Sequence, residues 1–243
     1  MKLGRTDASW KKHDIIRDVS RGQASVLNKR FGSRGIIIDM HSGDGAGVTQ
    51  PQLDLFYGNN PSSATPEIAR TMARLLGDVD IVLCEKNRKR RDELIESFPL
   101  AKVIKDHAIA IDEILPCHKW AVVLNDPNGW SGHGVEYMRA ISRKVISDFI
   151  IVFNHGAMKR VLGMDETKDY GDNDFATKVR AGGRENAWMI EPDNWRNQIG
   201  RRCVGASSVI TASQNFQYRV LVVTNFLTDA VMRHPLFKNG VLK

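Results

Sequence analysis

Cysteine is scarce in this chain: Cys84, Cys117 and Cys203 are odd in number and far apart. They form no CxxC pair and no Cys/His spacing, so neither a disulfide framework nor a zinc site is expected, and no other metal site is indicated. A reducing cytoplasm is the natural setting. No apolar run approaches the length of a membrane span, and the first residues carry Lys, Arg and Asp instead of an apolar segment, so a soluble, unexported protein without a membrane partner is expected. Negative charge is in the minority: 28 acidic against 35 basic side chains give a formal charge of +7 and a pI near 9.4. That balance suits a polyanionic partner but says nothing about fold. Apolar content is ample, at 42% of 243 residues, enough for one large α/β domain with a substantial core.

Residues 36–47 read IIIDMHSGDGAG. An apolar run ends in Asp39, and Gly43, Gly45 and Gly47 then alternate with Ser42, Asp44 and Ala46, the pattern of a buried parallel strand breaking into a ligand-holding turn. Glycines let a ligand lie against bare peptide. Asp39 and Asp44 place negative charge at the strand's carboxyl end, which suits a cationic or hydroxyl-rich ligand better than the pyrophosphate held by a GxGxxG loop. The cofactor this favours is S-adenosylmethionine, ahead of NAD or ATP.

Around this stretch the chain alternates helices and strands. Ile15, Ile16, Val19, Val26 and Leu27 give a patchy helical period within an N-terminal extension (1–34), read as a helix on the sheet edge. Its Lys11, Lys12, Arg17, Arg21, Lys29 and Arg30 read first as a solvated face and second as a nucleic-acid face. Residues 48–64 are polar, carry Phe56 and Tyr57, and are too long for an ordinary βα turn; they form either a lid or a surface insertion. Thr65, Pro66 and Glu67 then open a helix with Ile68, Met72, Leu75 and Leu76 as its buried stripe.

The second strand, 80–85, ends in Glu85, which either accepts the hydroxyls of an adenosine ribose or caps the helix of 86–98. That helix carries Lys86, Arg88, Lys89, Arg90 and Arg91 ahead of Leu94, Ile95 and Phe98. A short strand, 102–104, leads to Asp106, a candidate partner for the adenine amino group or a cap for a helix over 109–115. Residues 120–130 read WAVVLNDPNGW, a central strand broken at its carboxyl end by Asn125, Asp126 and Pro127. This offers acceptors beside a reactive methyl and a stacking face in Trp130; an ordinary structural turn is the alternative. A helix over 135–145, a fifth strand over 148–154, a polar cover over 165–200, a hairpin of 207–213 with 218–224 and a short helix over 229–237 complete the chain.

Taken in order, DMHSGDGAG, CEKN, KDHA, NDPNGW and the terminal hairpin resemble the motif series of class I S-adenosylmethionine-dependent methyltransferases over nearly the whole chain. Within that superfamily, NDPNG and QYRVLVVTNF are similar to three-Cys-motif partner proteins and related phage-borne proteins. The resemblance implies an α/β fold, a doubly wound, mostly parallel seven-stranded sheet with an antiparallel C-terminal hairpin, in one domain over 1–243. It places Asp39, His41, Ser42, Gly43, Asp44, Gly45 and Gly47 along the methionine part of the cofactor, Glu85 on the ribose and Asp106 on the adenine. Asn125, Asp126 and Pro127 stand where amino methyltransferases carry [DNS]PP[YFW]. The match departs at Asn128 and Gly129, with an aromatic only at Trp130, which keeps open a cofactor-binding protein without methyl transfer.

The expected activity is methyl transfer to nucleic acid, at a base amine, with DNA and RNA level as acceptors. Trp130 and Tyr218 would stack on a base, and Lys86, Arg88, Arg201 and Arg202 would hold phosphates. The rival reading is an inactive methyltransferase-like module binding nucleic acid or a protein partner in phage–host conflict. A nucleotide-dependent Rossmann enzyme is the third.

Overall fold

The computed structural model describes residues 7–42, 65–106, 109–126, 134–154, 195–208, 210–213, 216–226, 228, 231, 233, 237 and 241–242. Its centre is β1 (Gly35–Asp39), the sequence GIIID, buried at every position. A strand with β-branched side chains on both faces belongs in the middle of a sheet covered on both sides. It pairs in parallel with β2 (Val79–Cys84) and β4 (Trp120–Asn125). Next, β3 (Lys102–Ile104) joins β2 and β5 (Ile146–Asn154) joins β4, again in parallel.

Beyond β5 the direction reverses: β8 (Phe216–Thr224) lies antiparallel to β5, and β6 (Cys203–Ala206) antiparallel to β8. The order β3-β2-β1-β4-β5-β8-β6 is a seven-stranded frame. Two short strands extend it: β9 (Val241–Leu242) on β6, and β7 (Ile210–Ser213) on the other half of β8. The expected doubly wound α/β sheet with an antiparallel C-terminal hairpin is the observed fold. The strand β6 had no sequence signal, since CVGA is short and contains glycine.

Two cores flank the sheet. On one face Ile38, Met40, Val123 and Phe149 pack with Met138 and Ile141 of α4 (Val135–Lys144). On the other, Ile37, Trp120, Val122, Ile150 and Val222 pack with α1 (Asp7–Phe31), α2 (Thr65–Leu76) and α3 (Arg88–Ser97). The helix α1 corrects an expectation. It runs unbroken through Gly22 and lies across the sheet face, not at its edge, with Ile15, Ile16, Val19, Ala24 and Leu27 buried.

Gln23 pins α1 there from within. Its Nε2 donates to Asp148 Oδ2 (2.8 Å) and to the Phe226 carbonyl (3.1 Å), while its Oε1 accepts the Thr228 N–H (3.2 Å). Leu75, expected in the buried stripe of its helix, is 54% exposed, and Ile95 is 55% exposed. Ile95 sits one position off the buried Leu94 of α3, and the buried residues of α2, Ile68, Ala69 and Met72, leave Leu75 at the margin of the stripe. The helix expected over 109–115 is a π-helical turn, Ala110–Ile114, running into a 3-10 turn, Leu115–Cys117.

Candidate functional site at the carboxyl rim of the sheet

Because β2, β1 and β4 run in step, with Asp39 opposite both Leu83 and Leu124, their carboxyl ends form one rim. The chain leaving β1 stays in that rim. Met40 N–H donates to Leu124 O (2.9 Å) and Ser42 N–H to Cys84 O (3.0 Å), wedging residues 39–42 between the neighbouring strand ends. Asp39 is fully buried at the midpoint. Its Oδ1 accepts the His41 N–H at 3.1 Å, a local turn in which a carboxylate substitutes for a backbone acceptor. The Ser42 hydroxyl donates back to Asp39 O at 3.4 Å.

Glu85 follows β2 on the same rim. Its backbone N–H donates to Ile104 O, and its Oε1 accepts the Asn87 N–H at 2.7 Å. The other carboxylate oxygen has no hydrogen-bond partner among the described residues. The cap of α3 is Asn87, whose side chain accepts the Arg90 N–H at 3.2 Å, so the capping alternative for Glu85 is excluded. Asp106 is exposed just after β3. Burial, and then the nearby Asp39 and Asp106 carboxylates, push the Cys84 thiol well above its usual range. Cys84 thus stays a neutral packing residue between two rim acids.

At the end of β4 strand alternation sends neighbours to opposite faces. Asn125 is buried toward α4, its Nδ2 3.4 Å from Met138 Sδ. Asp126 turns to the α1 face, where its Oδ2 receives the Lys12 ammonium at 2.5 Å with His13 Nε2 at 3.9 Å. The Lys12 ammonium also lies 5.3 Å from the centre of the Tyr218 ring. Tyr218 enters at the rim because β8 is antiparallel to β5 and pairs it with Asn154, the last residue of that strand. Burial raises the Tyr218 hydroxyl's pKa, Lys12 opposes the rise and Asp126 adds to it.

Lys86, Arg88, Lys89 and Arg90 are exposed directly beside Glu85. Arg91 instead folds back onto the carbonyls of Glu85 (3.1 Å) and Lys86 (2.6 Å), bracing the turn. Arg201 and Arg202 are not brought to this site. Arg201 donates to Ser147 O (2.9 Å) and Oγ (2.6 Å) near the start of β5, the amino edge of the sheet, and Arg202 is exposed at the start of β6. The reason is topological: β6 runs the same way as β5, so the residues preceding it sit at the opposite end from the rim. Gly43, Asp44, Gly45, Gly47, Pro127 and Trp130 lie outside the described residues, as do 48–64 and most of 165–200. Lys12 and His13 were not singled out as site residues, because only the long-range placement of α1 brings them to Asp126.

Among the described residues no group of three or more His, Cys, Asp and Glu could hold a metal ion, and no helix is long and apolar enough to cross a membrane.

The strand order and the single reversed strand within the seven-stranded frame define the fold of class I S-adenosylmethionine-dependent methyltransferases. No family model matches the sequence, and no curated protein matches it. Among solved structures the chain is similar to protein LPL1258 from Legionella pneumophila, at a TM-score of 0.51 and 11% identity over 95% of this chain and 94% of that one. A putative rRNA-methylase from Clostridium thermocellum aligns over 91% and 97% of the two chains at 11% identity and a TM-score of 0.45. The plantazolicin methyltransferase BamL, solved with S-adenosylhomocysteine, aligns over 90% and 88% at 7% identity and a TM-score of 0.48. At 11% identity the likeness to the Legionella protein is one of fold.

Proposed function

We propose that the protein is an S-adenosylmethionine-dependent methyltransferase acting on nucleic acid, at a base amine. The observation that carries the reading is the rim itself: Asp39 ends β1, Glu85 and Asp126 directly follow the ends of the flanking β2 and β4, and one Glu85 carboxylate oxygen has no hydrogen-bond partner among the described residues. A nucleoside carrying a sulfonium charge fits this acid-lined edge. Glu85 would accept ribose hydroxyls, Asp106 would meet the adenine, and Asp39, His41 and Ser42 would line the methionine end together with Gly43, Asp44, Gly45 and Gly47. When bound, the cofactor supplies an activated methyl on a good leaving group, so the protein's share is placement of the acceptor.

Asp126 is the residue suited to hold an acceptor N–H, and Tyr218 offers the stacking face beside it; Asn125, Pro127 and Trp130 would shape the same end of the site. The exposed Lys86, Arg88, Lys89 and Arg90 beside Glu85 support a phosphate-bearing partner, as does the charge of +7. Free thiols at Cys84, Cys117 and Cys203 suit a cytoplasmic setting. Radiolabel transfer from S-adenosylmethionine to DNA and to RNA tests the proposal. Labelling of one of them is expected. No transfer to either, with the cofactor still bound, overturns it in favour of a non-enzymatic binding module.

A further inference from the structure

The carboxyl end of α1 feeds through residues 32–34 into the amino end of β1, so α1 runs back over the sheet and its own amino end reaches the carboxyl rim. At about 1.5 Å per residue, its 25 residues span roughly 37 Å, enough to cross the sheet end to end. What this delivers is Lys12. The Lys12 side chain is only 12% exposed, and its ammonium meets Asp126 Oδ2 at 2.5 Å and lies against the Tyr218 ring. The second oxygen, Asp126 Oδ1, has no hydrogen-bond partner among the described residues. A carboxylate with one oxygen clamped and the other open presents a single acceptor in a fixed direction. An exposed, unclamped aspartate would instead sample several rotamers.

We infer that Lys12 is the positioning residue of the acceptor side, holding Asp126 so that its open oxygen receives the N–H of the group to be methylated, against the face of Tyr218. The inference deepens the proposed function and rests on it. It assigns α1 a part in the site that neither its helical period nor its surface charge indicates. The acceptor is one that offers an N–H donor, because an ion-paired carboxylate oxygen presents acceptor lone pairs only.

The test compares wild type, Lys12→Met, Lys12→Arg, Asp126→Asn and the double variant in steady-state methyl transfer to whichever nucleic acid the wild type labels. S-adenosylhomocysteine affinity is measured by calorimetry on the same preparations. Lys12→Met is expected to lower kcat by about 10- to 100-fold, the scale of a misplaced reacting group, with cofactor affinity within about twofold of wild type. Lys12→Arg should recover part of the rate. The double variant should be no slower than Asp126→Asn, because Lys12 acts through that carboxylate.

An undiminished kcat in Lys12→Met overturns the inference. So does a rise confined to KM together with a loss of salt sensitivity, which would mark Lys12 as a phosphate contact. Loss of cofactor affinity in step with rate overturns it too, as does additivity in the double variant. A wild type that labels neither DNA nor RNA defeats the functional reading itself, and this inference with it; that outcome is distinct from an active wild type with an unaffected Lys12→Met.

Discussion

At the scale of single residues, burial and partnership separate the acids of this protein into different kinds. Asp39, Glu85 and Asp126 sit at the rim. Asp148 sits in the middle of the α1 face, accepting from Gln23 Nε2 at 2.8 Å and from the Thr224 hydroxyl at 2.5 Å. Burial raises its carboxyl from 3.8 to about 6, against the pull of Thr224, Gln23 and Arg201 toward the ionised form. A folded-state pKa above the unfolded one favours the neutral form in the fold. The associated stability is therefore present below about 3.8 and is lost as pH rises through about 6. A shift of about two units corresponds to a fall of roughly 3 kcal/mol across that window. Urea unfolding from about pH 4 to 7 should show this fall in wild type and a flatter profile in Asp148→Asn, which is neutral throughout. Parallel profiles would show that Asp148 titrates normally.

The element scale shows where sequence was legible and where it was not. The strands β1 to β5 were readable because each is an apolar run closed by a polar residue at its carboxyl end, the same feature that marked Asp39, Glu85 and Asp126. The hairpin of β7 with β8 was readable from β-rich runs around a polar turn. The strand β6 was not, since four residues with a glycine carry no period. Nor was the course of α1: its apolar positions announce a helix, but which surface it covers is set by Gln23 reaching Asp148 and Phe226, more than a hundred residues away. Arg201 and Arg202 looked like phosphate ligands because charge is visible in sequence and the end of the sheet is not.

Packing between elements makes a sharper prediction at Gly35. A methyl there would lie 2.0 Å from the Trp120 ring, itself fully buried and tied by its indole N–H to Gly32 O at 2.8 Å. Gly35→Ala is expected to destabilise the fold by about 1–3 kcal/mol through overpacking, read as a lower urea midpoint. In the pair Gly35→Ala with Trp120→Leu the combined loss should be smaller than the sum of the two single losses. A midpoint unchanged in Gly35→Ala would mean that β1 and β4 can shift apart freely.

For the whole molecule, the central claim is that the sheet's carboxyl rim is a nucleoside site, with Glu85 as its ribose acid. It links composition, topology and chemistry: an apolar frame fixes three strand ends side by side, and the acids at those ends would select a cationic, hydroxyl-bearing ligand. Calorimetric titration of S-adenosylhomocysteine into wild type and Glu85→Ala tests this most directly. The account predicts binding by wild type and affinity weaker by about 10- to 100-fold in Glu85→Ala, the scale of hydrogen bonds to a charged acceptor. No binding by wild type, or equal binding by both, would contradict it.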